Sequence, residues 1–453
     1  MFSLLLRVFS SPVIRYHHKH FRHVDICLKL FIASLLLSCS ACSRRWAEET
    51  SPSAYQSELS TRRVNFSHLN SNSQEEAIEG VVVLWTPIYE GMPDLIQKKI
   101  SKSIHEMADN FERNHKGITV VVETYPDTIL YKKYKYVLQH GLGPDVILVH
   151  NLMLGSLVKE KLLLEIPEKK VNTSHIKPKL MRQTTLNNVT YGIPFIVDIE
   201  ALCFNRESVK RPPSSLEELI ALSQTGVSTA LTSGLLKTIW GLPAFKTQLF
   251  NPQGEASLNP TSWNRWMEKL KRIDAERYVI LSDSEQTLQK YFMKGQISMM
   301  PCRSHTLPLL RKALGEDKLG ISPLPTINGY KASPPLRGVS LTASPLMSSN
   351  QKKLAWMLIS FMTNSDQQQT MSLDWNSLLP VNSQADFNQH LFPIQPILES
   401  IYNDSVSFTM KEWFTIIKHY DSIEQFYFQA RSGMINGEEA ARMINDTLNQ
   451  LKY

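Results

Sequence analysis

The chain has 453 residues, 42% of them apolar and 20% charged, which is ordinary for a globular protein and long enough for two hydrophobic cores rather than one. Its formal charge is +7, but residues 1–41 carry Arg7, Arg15, Lys19, Arg22 and Lys29 against Asp25 alone, a net of +4 that leaves +3 for all that follows. With no alternation of basic and aromatic residues, that balance excludes a nucleic-acid binder.

The first 42 residues have the layout of a lipoprotein signal peptide. A basic stretch, "RYHHKHFRHVDICLK", precedes a short apolar run, "LFIASLLLS", too short to cross a bilayer, and small residues follow in "CSAC". The histidines at 17, 18, 20 and 23 belong to the basic region and not to a metal site. Cys39 after Leu-Leu-Ser and Cys42 after Cys-Ser-Ala each resemble the lipidated cysteine of bacterial lipoproteins, with Cys42 preferred and Cys39 the alternative. Residues 43–79 are rich in Ser, Asn and charge and sustain no hydrophobic period, so a flexible tether is expected there. The body would thus work beside a membrane, from its outer face, without entering it. Cys203 and Cys302 are left in that body. An exported compartment permits a disulfide between them, and two small buried hydrophobes is the other reading. No Cys/His cluster has zinc spacing, so neither metal nor cofactor is expected.

From Gly80 the pattern alternates. "GVVVLW" reads as a buried strand, Ile96, Ile100, Ile104, Ala108 and Phe111 recur at helical spacing, and Gly117 closes that helix at its C′ position. "ITVVVET" is a second strand, "ILYKKYKYVLQHG" an amphipathic helix, "DVILVH" a third strand and "LMLGSLVKEK" another helix. Short turns between them predict a mostly parallel, doubly wound sheet, whose ligands sit beyond the carboxyl ends of the strands. That edge holds Trp85 to Glu90, and His150 with Asn151.

The stretch Tyr191–Asn205, "YGIPFIVDIEALCFN", places a proline and two acids inside a strand-like run. Pro194 is expected to end one strand before "EALCFN" resumes as another, because proline cannot donate to a sheet ladder. A break there marks a crossing between two lobes, with Asp198 and Glu200 at the rim of the cleft. Near the C-terminus, Asn436 caps a helix with Glu439 three residues on, and Ala441, Ile444, Leu448 and Leu451 form its apolar stripe.

In order along residues 80–453 stand "GVVVLW", "FERNHKGITV", "GPDVILV", "YGIPFIVDIEALCFNRE", "PPSSLEEL", "FMKGQISMM", "LGISPLPT", "LRGVSLTASP", "KKLAWMLISFMTNSDQQQTM" and "SGMINGEEAARMINDTLNQL". Each is weak alone; by number, order and spacing they resemble the extracellular solute-binding proteins of family 1, the sugar-type binding components of ABC importers. The resemblance implies an α/β, type II periplasmic-binding-protein-like fold of two doubly wound lobes joined by a hinge. It implies residues 80–196 plus 336–376 in lobe 1 and 197–335 plus 377–453 in lobe 2. It further implies a small carbohydrate-like ligand, an ABC permease in the cytoplasmic membrane as partner, a lipid anchor, and a monomer without catalytic activity.

Sugar binding calls for aromatic faces against the ring and charged or amide groups on its hydroxyls. The residues at the resembling cleft positions are Trp85, Glu90, His150, Asn151, Asp198 and Glu200, then Trp240, Arg303, His305, Arg337, Trp375 and Trp413. Trp240 and Trp375 are the expected stacking residues, whereas Trp263 and Trp266, three apart on a helix, are expected to pack. "PCRSH" departs from the pattern by placing Arg303 and His305 where an aromatic is usual, "ILVHN" lacks the usual Asp, and "RG" replaces a Gly pair. These donors suit an anionic ligand or neutral hydroxyls, and a neutral or amphoteric solute is favoured. Two alternatives stand beside import: a ligand-loaded sensor docking on a receptor kinase, and an exported carbohydrate-active hydrolase using Asp198 and Glu200. Against the hydrolase, residues two apart on a strand point the same way, and no "GxSxG" occurs. Iron binding would need paired tyrosines with an acid at the cleft.

Overall fold

The computed structural model describes residues 78–89 and 92–450. The signal peptide, Cys39 and Cys42, the tether up to residue 77, Glu90 and Leu451 lie outside the described residues. In chain order the strands are β1 (Gly80–Ile88), β2 (Ile118–Pro126), β3 (Val146–His150), β4 (Thr185–Leu186), β5 (Val189–Thr190) and β6 (Ile193–Asp198). They continue as β7 (Glu200–Asn205), β8 (Thr229–Thr232), β9 (Val279–Ser282), β10 (Met299–Arg303), β11 (Leu319–Ser322) and β12 (Arg337–Ala343).

Among the described residues two five-stranded sheets form, ordered β2-β1-β3-β12-β6 and β11-β7-β10-β8-β9, with β4 and β5 a separate hairpin. In the first sheet β1 is parallel to β2 and β3, as the alternating pattern predicts, while β12 returns from far along the chain antiparallel to β3 and β6. The helix Asp94–Asn114 buries Ile96, Ile104, Met107, Ala108 and Phe111 against this sheet. It closes at His115, two residues before Gly117, which adopts the left-handed conformation (φ +88°) in the turn into β2.

Pro194 does not end a strand. It lies inside β6 opposite Ser340, and the pairing register shifts between Val339 and Ser340. β6 is the outermost strand of its sheet, the position at which a ladder tolerates proline, and the irregularity lies beside the ring. The break comes four residues later. β6 ends at Asp198 and β7 begins at Glu200, so Ile199 alone carries the chain from one sheet to the other. It is tied on both sides to Ser304: its N–H donates to Ser304 Oγ at 3.0 Å, and the Ser304 N–H donates to its carbonyl at 2.8 Å. The return crossing runs through Leu336, whose carbonyl accepts from Gln183 Nε2 at 3.1 Å.

In the second sheet β7 is antiparallel to β10 and β11. Cys203 on β7 and Cys302 on β10 are joined as a disulfide, with Cα atoms 5.7 Å apart and a sequence separation of 99. Trp263 and Trp266 are fully buried on the helix Pro260–Asp274, packing as expected. The helix Gly437–Asn449 is capped by Asn436, which accepts from the Glu439 N–H at 2.7 Å, and buries Ala441, Ile444 and Leu448. The helix Met410–Lys418 instead packs on Asn151–Lys159, where Gly155 lets it approach: a Cβ there would stand 2.6 Å from that of Phe414. No helix among the described residues is long and apolar enough to cross a membrane.

Candidate functional site

Between the two sheets lies a cavity of about 130 Å³. Its floor and one wall come from the first sheet: Tyr89 just after β1, Leu148 and His150 on β3, Ile196 and Asp198 at the end of β6, and Arg337 to Val339 opening β12. The other wall comes from the second sheet, through Arg303 at the end of β10, His305 and Thr306 beyond it, and the helix Glu285–Met293. Met92, Pro93, Ile100, Asp127, Trp375 and Leu378 complete it. These are the carboxyl ends of β1, β3, β6 and β10, where an open α/β sheet leaves backbone groups and side chains free to meet a ligand.

Arg303 is the electrostatic centre. Its side chain is 3% exposed, with Nη2 3.1 Å from Glu200 Oε2 and Nε 3.9 Å from Asp198 Oδ2 and 4.0 Å from Glu285 Oε2. Strand register explains the first of these contacts, because Glu200 and Arg303 are direct partners across β7 and β10. Asp198 is engaged from the other side by His305 Nδ1 at 2.9 Å and by Ser304 Oγ at 3.1 Å. Burial pushes the Asp198 carboxyl up, but His305, Arg303 and Arg337 outweigh it and hold the group well below the usual carboxylate range. For Glu200 the order reverses: burial and the nearby Glu285 raise its pKa despite Arg303. Burial and the neighbouring Arg303 lower the pKa of Arg337, which makes no ion pair with any described residue. His150, half-buried against the Tyr89 ring at 4.7 Å, is pushed down to about 4, chiefly by burial and further by Arg337 and His305. It is therefore neutral at physiological pH.

Several hydrogen-bonding groups at the cavity have no hydrogen-bond partner among the described residues. Arg303 Nη1 and Nη2, Glu200 Oε2 and the Tyr89 hydroxyl are all buried in this state, so the close approach of Nη2 to Oε2 is an ion pair without hydrogen-bond geometry. Buried groups of this kind cost roughly 1–3 kcal/mol each unless something satisfies them.

Of the residues singled out in the sequence, the cavity brings together His150, Asp198, Arg303, His305, Arg337 and Trp375, with Glu200 directly behind Arg303. Trp375 is held in place by its Nε1–H, which donates to Ser103 Oγ at 3.0 Å. Asn151 is close by but committed elsewhere: it donates to Gln183 Oε1 at 2.8 Å and accepts from Ser340 Oγ at 2.6 Å. Gly338 keeps room for it, since a Cβ at that position would lie 2.6 Å from Asn151 Nδ2.

The other three tryptophans do not line the cavity. Trp240 is 1% exposed and packs edge-on against Trp266 at 5.6 Å; Trp85 lies against Tyr125 at 4.6 Å and Trp413 against Phe408 at 5.2 Å. Each ring fills a core, and the expectation that Trp240 stacks on a ligand is corrected accordingly. Sequence reasoning placed the stretch that contains Tyr89 on the binding edge without singling that residue out, and it missed Glu285, Gln286 and Gln289. The available signal was a helix opening at Ser284 with polar residues at 285, 286 and 289 clustered on one side.

Comparison with known proteins agrees with this architecture. A family model described as bacterial extracellular solute-binding protein matches residues 106–389. A Brucella abortus (strain 2308) protein named as a binding protein is 20% identical over 313 residues, 63% of this chain and 74% of its own length. The GacH receptor of Streptomyces glaucescens GLA.O, solved unliganded and with acarbose, superposes with a TM-score of 0.67 at 18% identity, over 83% of this chain and all of that one. The maltose/maltodextrin-binding domain MalE of Bdellovibrio bacteriovorus, bound to maltotriose, gives 0.66 at 17% identity, over 82% and 99%. At such identities the likeness shows the two-lobed α/β fold with its cleft.

Proposed function

The chain belongs to the bacterial extracellular solute-binding proteins, and from that premise we propose that it is the substrate-binding component of an ABC importer. It captures a small, neutral, carbohydrate-like solute by closing its lobes and presents that solute to a permease in the cytoplasmic membrane. The lobes divide the chain at Ile199 and near Leu336, and Cys42, or Cys39 in its place, carries the lipid that keeps the protein at the outer face of that membrane.

One observation carries the ligand class: a cavity between the sheets with unpaired hydrogen-bonding atoms and charges of both signs. Asp198, Glu200 and Glu285 stand against Arg303 and Arg337, with His305 on Asp198. Carboxylates and guanidinium groups stand side by side, so hydroxyl groups, which both donate and accept, match the site better than a full charge does. The two acids of a hydrolase would face each other across substrate. Here Asp198 and Glu200 both lie against Arg303, an arrangement for holding rather than for proton transfer.

The test is a thermal-shift screen of the body from residue 78 against monosaccharides, oligosaccharides, polyols and their phosphates. A ligand at about a hundred times its dissociation constant stabilises by roughly 2.7 kcal/mol. Stabilisation by neutral sugars or polyols is expected. Stabilisation by phosphates or carboxylates alone, or turnover of the sugar, refutes the reading. For the anchor, the Cys39→Ala/Cys42→Ala double variant of the full chain should leave the membrane fraction, and its retention there refutes lipidation.

A further inference from the structure

We propose that the ligand is a single sugar ring or a hexitol, not an oligosaccharide, and that the helix Glu285–Met293 selects it through Glu285, Gln286 and Gln289. The proposal rests on the functional reading above and narrows it.

The first support is the state of those side chains. All three line the cavity, and neither Gln286 nor Gln289 hydrogen-bonds to any described residue. The Glu285 carboxylate reaches only the Arg303 Nε, at 4.0 Å. The helix is pinned at its start by Ser284, whose side chain accepts from the Thr287 N–H. Residues 285 and 289 are one turn apart and 286 adjoins them, so a carboxylate and two amides face one small volume. On the same wall, beside Glu285, are Arg303 Nη1 and Nη2, and the first sheet's wall brings the Tyr89 hydroxyl, all of them buried without a hydrogen-bond partner. A ring bearing hydroxyls around its edge satisfies both sides at once.

The second support is size. On the roughly 10–15 Å³ of such space that one water occupies, the cavity of about 130 Å³ accommodates about ten water-sized groups. A single hexose, with about a dozen non-hydrogen atoms, is of that order, and a disaccharide is about twice it.

The third support is what surrounds the polar centre. Met92, Ile100, Leu148 and Leu378 offer no hydrogen-bonding side-chain group, so the hydroxyls of a second ring there would lose water without replacement. Trp375 is the only tryptophan among the described residues that lines the cavity.

Isothermal titration calorimetry of the full chain tests this with hexoses, hexitols and the matching di- and trisaccharides. The wild type is expected to bind at least one single-ring sugar or hexitol, and to bind every disaccharide at least a hundredfold more weakly. Gln286→Ala and Gln289→Ala should each weaken that binding about ten- to a hundredfold. Glu285→Gln, which keeps size but removes charge, should weaken it about tenfold. Because the amides have no internal partners, the unliganded Gln variants should melt within a few degrees of wild type. Tighter binding of a disaccharide or longer oligomer overturns the size assignment while leaving the importer reading intact. Wild-type binding of a single ring that Gln286→Ala and Gln289→Ala retain within twofold overturns the role of the helix. Failure of every sugar and polyol to bind overturns the functional reading and this proposal together.

Discussion

Replacing Arg303 by methionine probes the centre of the site. The guanidinium is 3% exposed and lies 3.1, 3.9 and 4.0 Å from carboxylate oxygens of Glu200, Asp198 and Glu285. At an effective dielectric constant near 20, each contact is worth about 4–5 kcal/mol of attraction, most of it offset by the desolvation of the charges. Methionine fills much of the same volume but leaves carboxylates buried without their cation, and breaking a buried pair in this way costs about 3–5 kcal/mol. The cost must depend on pH. Without Arg303 the Glu200 pKa, already raised by burial, rises further, and Glu285, now held below its ordinary value by Arg303 against the effect of burial, rises as well, so folding takes up protons. The variant's deficit is therefore full at neutral pH and shrinks as the medium is acidified. Urea unfolding of both proteins at about pH 7.5 and pH 5 measures this. The deficit at pH 5 should be roughly half that at pH 7.5, since a tenfold change in a carboxyl's proton affinity between the folded and unfolded chain corresponds to about 1.4 kcal/mol. The Arg303→Met/Glu200→Gln pair should recover part of the loss at pH 7.5. A deficit below about 1 kcal/mol, or one equal at both pH values, refutes the account of Arg303 as the counter-ion of a buried acidic cluster.

Three further outcomes concern the tryptophans, the disulfide and His150. Trp240→Ala should cost about 3–5 kcal/mol of stability and leave ligand affinity within a few-fold, whereas Trp375→Ala should also cut affinity at least tenfold; calorimetry on both, beside their urea midpoints, separates the roles. Reducing the Cys203–Cys302 bridge, or Cys302→Ser, should lower stability by up to about 4–5 kcal/mol in the chain-entropy picture, because it opens a loop of 99 residues; urea unfolding with and without reductant reads it. His150 has its folded pKa lowered from 6.5 to about 4, so the unfolded chain binds its proton first and stability falls as pH drops through that window. A His150→Gln variant should flatten that part of the pH profile, and an unchanged slope refutes the assignment.

The strands are legible in the sequence because their apolar runs are continuous and their turns are marked, as "GVVVLW", "ITVVVET" and "DVILVH" show. Pro194 reads as a stop because a single strand does not reveal whether it will lie at an edge, and an edge is what makes the ring tolerable. The cationic half of the site is legible too: "PCRSH" and "LRG" end and begin strands that meet at the crossing. The aromatic half is not. Trp240 and Trp375 are alike in sequence, and what separates them is which neighbours their helices meet, a long-range property. Glu285, Gln286 and Gln289 stay hidden for the opposite reason: polar residues on a helix read as its solvent face, and only the opposed sheet turns that face inward.

The pairing of Glu200 with Arg303 and the disulfide between Cys203 and Cys302 lie on the same two strands, a few residues apart. Their joint consequence is preorganisation. The guanidinium, Glu200 and Glu285 are fixed when the second lobe folds, so the entropy of ordering them is incurred then and not when a ligand arrives. The cleft's other face keeps its freedom, since the lobes are joined by crossings as short as Ile199. Binding then reduces largely to one rigid surface closing on another. The speed of capture should follow the frequency of lobe closure, and the lifetime of the complex should follow how well the captured ring satisfies the hydrogen-bonding groups that line the cavity.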